Sequence, residues 1–206
     1  LHSFPTRRSS DLLQRFRQHK LKLKPKKCKL FCSEVEFLGR KVGRDGVSIQ
    51  DSKIKAVLEW PTPTEKKELE QFLGFINYHR SFIANFANLA ASLYELTGKN
   101  DFVWDTAQQS AFEALKRAVV AAPVLVYPNN DDWFILDTDA SQFAIGAELS
   151  QLQAGVERTV AFGSFALTPA QKNYCTTRKE LLAVVMFTRQ FKHYLLGRVF
   201  LLRTDH

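Results

Sequence analysis

The sequence predicts a mixed α+β protein, and three observations carry that reading. Apolar residues recur at helical spacing up to Pro123, strand-type stretches follow one another from Trp133, and the last third adds an apolar helix and one more strand. No internal period or low-complexity tract suggests a repeat array. The 206 residues, 45% hydrophobic and 24% charged, have the make-up of an ordinary globular chain with room for one large domain or two small ones.

Each element has a local reason. Glu34 to Ile49 is short strand material broken by Gly39, Gly43 and the Asp45-Gly46 turn signal, which predicts a hairpin. Asp51 is expected to cap a helix that buries Ile54, Val57 and Leu58 and stops at Pro61. Thr62-Pro63-Thr64-Glu65 has the spacing of a capping box, with Thr64 as the alternative cap. In the helix that follows, Leu69, Phe72, Leu73, Ile76 and Ile83 form an apolar face while Lys66, Lys67, Glu68 and Arg80 stay wet. A further helix from Asp105 to Ala122 presents Ala111, Phe112, Leu115 and Val119 to a core.

Beyond Pro123 the period changes. Trp133 to Asp139, Phe143 to Gln151 and Thr159 to Leu167 read as an antiparallel meander, with Ala154-Gly155 in the second gap. Thr168 to Gln171 and Thr177 to Glu180 both have capping-box spacing, the latter opening a helix that carries Leu181, Val184, Val185, Phe187 and Phe191. Gly197 ends that helix, and Val199 to Asp205 is a final strand.

The net charge of +8 is local. Residues 1–32 hold ten Lys or Arg against Asp11 alone, a net +9, so the other 174 residues sum to −1. Such a stretch is either a solvated face or a contact for a polyanion. The longest apolar run, Leu181 to Phe187, is too short to cross a bilayer, and no membrane partner is expected. The first dozen residues lack the apolar centre of a secretory signal, and Cys28, Cys32 and Cys175 are an odd number, so an intracellular, reducing setting is expected. Cys28 and Cys32 lack a second pair at zinc spacing and are expected in the core; His79 and His193, beside Tyr78 and Tyr194, are expected to pack or to lie on the surface. Asp131-Asp132 follows no strand and reads as solvated.

Three acids could carry chemistry. Asp139 ends an apolar strand and is followed by the small Ala140 and Ser141, Asp205 ends the last strand in the same way, and Glu180 sits in the first turns of an apolar helix. Singly, each reads as a cap, a strand end or a solvated residue, Glu180 being accounted for by its capping box. Together they would repel one another and favour divalent cations, which phosphodiester hydrolases use in pairs about 4 Å apart.

Several spaced motifs resemble one family. Pro25-Lys26-Lys27-Cys28, Val35 to Gly39, Trp60-Pro61-Thr62-Pro63, Phe72 to Arg80 and Ala122-Pro123-Val124-Leu125 resemble the reverse transcriptase of gypsy-type LTR retrotransposons. Leu136 to Ser141, Asn173-Tyr174, Lys179 to Val185 and Arg203 to His206 resemble the ribonuclease H domain that follows it. The resemblance implies the end of the polymerase palm with its primer-grip hairpin over residues 13–50, a helical thumb/connection over 51–122, and a C-terminally truncated ribonuclease H-like domain over 123–206; residues 1–12 match nothing in the pattern. It implies that Asp139, Glu180 and Asp205 hold two Mg²⁺ (or Mn²⁺) ions and direct water at the RNA strand of an RNA–DNA hybrid. It also implies that Lys20, Lys22, Lys24, Lys26, Lys27, Phe37, Leu38, Gly39 and Arg80 grip hybrid or duplex, and that the chain works with the rest of a polyprotein in a cytoplasmic particle or the nucleus.

The departures matter as well. The polymerase Tyr-x-Asp-Asp and the fourth ribonuclease H acid are missing, Glu148 interrupts a strand where the family has an apolar residue, and Phe165 stands where it has Arg. The expectation is a chain that binds hybrid and cleaves it poorly; the rival from another class is an inactive binding module of a decayed element.

Overall fold

A computed structural model describes residues 6–29, 32–98 and 100–205. The chain divides into two compact units, residues 1–35 and 36–206. The first holds helix α1 (Thr6–Gln18), which takes in the second half of the unmatched residues 1–12, and a short turn over Pro25–Lys27. Lys20, Lys22, Lys24 and Lys26 are exposed there; the side chain of Lys27 lies outside the described residues.

The second unit begins within β1 (Glu34–Phe37), which with β2 (Arg40–Gly43) and β3 (Val47–Ile49) makes a three-stranded sheet in sequence order. Leu38 and Gly39 turn the first hairpin at φ +50° and +73°, the left-handed region that a two-residue hairpin turn requires. Helices α2 (Asp51–Leu58), α3 (Lys66–Tyr78), α4 (Phe86–Leu89), α5 (Ala91–Glu95) and α6 (Thr106–Val120) then enclose one core. Its centre is Leu69, Phe72, Ile76, Phe112, Leu115 and Val119, the residues whose periodicity predicted two helical faces.

From Val126 a second core begins. Strands β4 (Phe134–Ala140), β5 (Ala144–Gln153) and β6 (Val156–Ala166) form the antiparallel meander. After α7 (Pro169–Lys172), α8 (Thr176–Gln190) and α9 (Lys192–Leu195), strand β7 (Phe200–Thr204) pairs parallel to β4, giving the order β6-β5-β4-β7. Phe187 of α8 packs closely on this sheet because Gly163 has no side chain: a Cβ there would come within 2.6 Å of its ring. Helical part and sheet are tied by hydrogen bonds to Ser164, whose Oγ accepts from Ala87 N and whose carbonyl accepts from Arg80 Nη2, both at 2.8 Å.

Several local expectations are corrected. Gln50, not Asp51, is the N-cap of α2, and Asp51 instead pairs with Lys41 at 3.8 Å. Leu58, the last residue of that short helix, is exposed, and Val57 is its buried residue. Neither Thr62 nor Thr64 caps α3 with its side chain; Glu68 reaches back and accepts from Thr64 N and Oγ1 at 2.8 and 2.9 Å. The Thr168 capping box forms, but the Thr177 box does not, because α8 already starts at Thr176. That helix packs through Glu180, Ala183 and Phe187, so Leu181 and Val185, turned about 100° and about 140° round from Glu180 at 3.6 residues per turn, are exposed. All three cysteines are exposed, against the expectation that Cys28 and Cys32 pack in the core.

Candidate active site

Strand β4 is apolar and buried through Phe134, Ile135 and Leu136, then carries Asp137, Thr138 and Asp139 to its end. Because side chains alternate along a strand, Asp137 and Asp139 share one face and Thr138 the other. In the parallel ladder Asp137 is the partner of Arg203 and Thr138 of Thr204, so the residues that follow, Asp139 and Asp205, come side by side. Helix α8 lies against the opposite face and brings Glu180 to the same strand end. Glu180 as a residue is 5% exposed, and its carboxylate accepts a hydrogen bond from the Ala140 backbone and another from Thr204 Oγ1 at 3.4 Å. Burial pushes the Glu180 carboxyl above the usual carboxylate range, and the charges of Asp139 and Asp205 push the same way against those hydrogen bonds.

The three acids expected to act together are therefore assembled from a strand end, a helix and a second strand end. A cavity of about 460 Å³ opens beside them, lined among others by Asn85, Asp137, Asp139, Glu148, Arg203 and Asp205. Thr138 Oγ1, between the two β4 acids, is buried without a hydrogen-bond partner.

All donors here are hard oxygens, the class that suits Mg²⁺ or Mn²⁺. Among the described residues no three His, Cys, Asp or Glu side chains close on one point as a single-ion cage would. The mutually repelling acids fit a divalent cation as well.

Sequence reasoning missed the charge network beside these acids. Arg203 holds Asp137 with two hydrogen bonds of 2.5 and 2.6 Å and Glu157 with one of 2.6 Å. Only the strand pairing reveals it: Asp137-x-Asp139 and Arg203-x-Asp205 have the same spacing, and the ladder sets Asp137 opposite Arg203. Glu148, which stands where the family has an apolar residue, is half-buried and accepts from Thr159 Oγ1 at 2.7 Å. Phe165 stacks on Phe187, and the guanidinium of Arg80 stands 5.7 Å over its ring.

The hairpin tip is a separate feature. Phe37 and Leu38 are 64% and 67% exposed, Tyr78 donates to Leu38 O at 2.6 Å, and a cavity of about 300 Å³ opens there against Lys53, Phe75 and His79.

Comparisons with known proteins bear on the family and the fold. Residues 104–202 match the family described as an RNase H-like domain found in reverse transcriptase. The chain is 40% identical over 189 residues, 90% of its length, to the retrovirus-related Pol polyprotein from transposon 297 of Drosophila melanogaster. It is 34% identical over 200 residues, 95% of its length, to the transposon Tf2-3 polyprotein of Schizosaccharomyces pombe. It spans 17% of the former and 15% of the latter. The foamy viral protease-reverse transcriptase solved in complex with RNA/DNA hybrid superposes over all of this chain and 29% of its own, with a TM-score of 0.78 and 20% identity. The same viral protein solved with dsDNA gives a TM-score of 0.79, likewise at 20% identity and over the whole of this chain and 44% of that one.

Proposed function

We propose, for a chain that belongs to the reverse transcriptase/ribonuclease H family of retrotransposon Pol polyproteins, that its β4–β7 sheet hydrolyses the RNA strand of an RNA–DNA hybrid. The observation that carries this reading is the buried Glu180 carboxylate held in the field of Asp139 and Asp205. A buried acid crowded by two others is costly unless a cation answers it. Two divalent ions, when bound there, supply the Lewis acidity and the lowered water pKa that phosphodiester hydrolysis needs. Asp139 and Asp205 offer exposed oxygens from adjacent strand ends, and Glu180 is set by its hydrogen bonds from Ala140 and Thr204. Lys20, Lys22, Lys24, Lys26 and Lys27, with Phe37, Leu38, Gly39 and Arg80, are assigned to holding the duplex as part of a longer polyprotein.

The test is cleavage of a labelled RNA–DNA hybrid with Mg²⁺ or Mn²⁺. Cleavage that is abolished by Glu180→Gln is the expected result, and cleavage retained by that variant overturns the assignment. A second reading, a binding module without chemistry, is favoured by one observation: Asp205 lies just past the end of β7 and is exposed, and Leu201 and Leu202 of that strand are 49% and 38% exposed. Hybrid binding without any cleavage selects that reading.

A further inference from the structure

We propose that Arg203 is a positioning residue that fixes Asp205 beside Asp139 by clamping β7 to its neighbours through Asp137 and Glu157. Strand β7 pairs with β4 on one side and has no strand on its other side among the described residues. The ladder with β4 sets its register, and side-chain contacts across the sheet add to it at the end that carries Asp205. The Arg203 fork meets the Asp137 carboxylate with Nε to Oδ1 at 2.5 Å and Nη2 to Oδ2 at 2.6 Å. The same Nη2 donates to Glu157 Oε1 at 2.6 Å and Nη1 to Oε2 at 3.3 Å. Glu157 Oε1 in turn accepts from Ser150 Oγ at 2.9 Å. One guanidinium thus links β7 to β4 and β6 directly and to β5 through Ser150.

These side chains are 35–46% exposed, and an isolated pair at that exposure contributes little. A two-pronged fork shared between two carboxylates is the exception, since it fixes direction as well as distance. The hydrogen bonds from Arg203 also hold the Glu157 carboxyl below its ordinary range. The clamp thereby commits Asp137 and Glu157 to a guanidinium two residues before Asp139 and Asp205 on their strands.

This inference rests on the metal reading above, so its test separates the two. Mn²⁺ binding to the full chain is titrated by EPR, and amide hydrogen exchange at Thr204 and Asp205 is followed without metal. Arg203→Lys keeps the charge and loses the fork: Mn²⁺ affinity is expected to fall about tenfold, the scale on which groups that orient metal ligands act, and exchange at Thr204 and Asp205 to quicken. Arg203→Met is expected to weaken Mn²⁺ binding although it makes the site more negative; tighter binding means that Arg203 acts through its charge alone and overturns the positioning role. Glu157→Gln, at the far end of the clamp, is expected to shift both readouts the same way by less, and it serves if the Arg203 variants do not fold. Unchanged affinity and exchange in all of these overturn the clamp. Absence of saturable Mn²⁺ binding by the wild type overturns the metal reading instead, and the exchange rates still decide the clamp.

Discussion

Gly146 stands directly across the ladder from Asp139, and a Cβ at Gly146 would lie 2.5 Å from Oδ1 of Asn85. Asn85 itself is held in the left-handed region at φ +52°, where Asn is better tolerated than most residues. The helical part therefore touches the sheet at the position opposite the catalytic candidate. Gly146→Ala is expected to cost about 1–3 kcal/mol by overpacking. In an Asn85→Gly background, which keeps the backbone and removes the carboxamide, the same change should be nearly neutral. Denaturant unfolding of the four proteins of that cycle measures the coupling.

Glu180 makes the metal-free protein sensitive to pH in a defined direction. Its carboxyl is raised in the folded state, so the folded protein holds its proton more tightly than the unfolded chain does. The stabilisation is complete below the unfolded value of 4.5 and is lost as pH rises through the raised folded value. At pH 7 without metal, Glu180→Gln is expected to be more stable than wild type, with the advantage shrinking towards pH 4. Thermal melts across that range check it; a less stable Glu180→Gln at pH 7 would show that the carboxylate is well satisfied where it sits.

His79 has the opposite sign. It is 2% exposed among Phe75, Tyr78 and Phe82, its Nδ1 has no partner, and burial with the charges of Arg40 and Lys53 lowers its pKa from 6.5 to about 4. The folded state thus resists a proton that the unfolded chain accepts. Stability on its account is present above 6.5 and falls as pH drops through about 4, by at most about 1.4 kcal/mol per pH unit. His79→Phe is expected to remove this dependence and to gain stability at pH 5. Equal acid sensitivity in variant and wild type would assign it to other groups.

The basic segment predicts a salt signature. Lys20, Lys22, Lys24 and Lys26 are exposed, and each phosphate they neutralise should add about −0.9 to the slope of log affinity against log salt on B-form duplex. Replacing all four with Gln should flatten that slope. Titration at several salt concentrations measures it, and an unchanged slope removes the segment from the binding surface.

Much of this architecture was legible in the residues. The faces of α3 and α6 repeat apolar residues at helical spacing, and the meander announces itself through alternation and the Ala154-Gly155 turn, both of whose residues have positive φ. Asp139 and Asp205 read singly as strand ends or solvated residues, and the family resemblance grouped them with Glu180. Glu180 was misread locally, since Thr177-x-x-Glu180 has the spacing of a cap while the helix starts one residue earlier and turns Glu180 inward. Leu181 and Val185 misled for the same reason: hydrophobicity does not record which side of a helix the sheet lies on. The Arg203 network could not be read before the register was known, because its members are 46 and 66 residues apart in sequence.

The parallel pairing of β7 with β4 also bears on how the molecule folds. The meander needs contacts between neighbouring strands only, and α8 can settle on it through Phe187 soon afterwards. Asp137 and Arg203 are 66 residues apart, so pairing them must close a long loop before any contact compensates the lost chain entropy. A chain that has already collapsed around its second core can still lack Asp205 beside Asp139. Metal binding would then appear in refolding later than compactness does, as the mark of a finished topology.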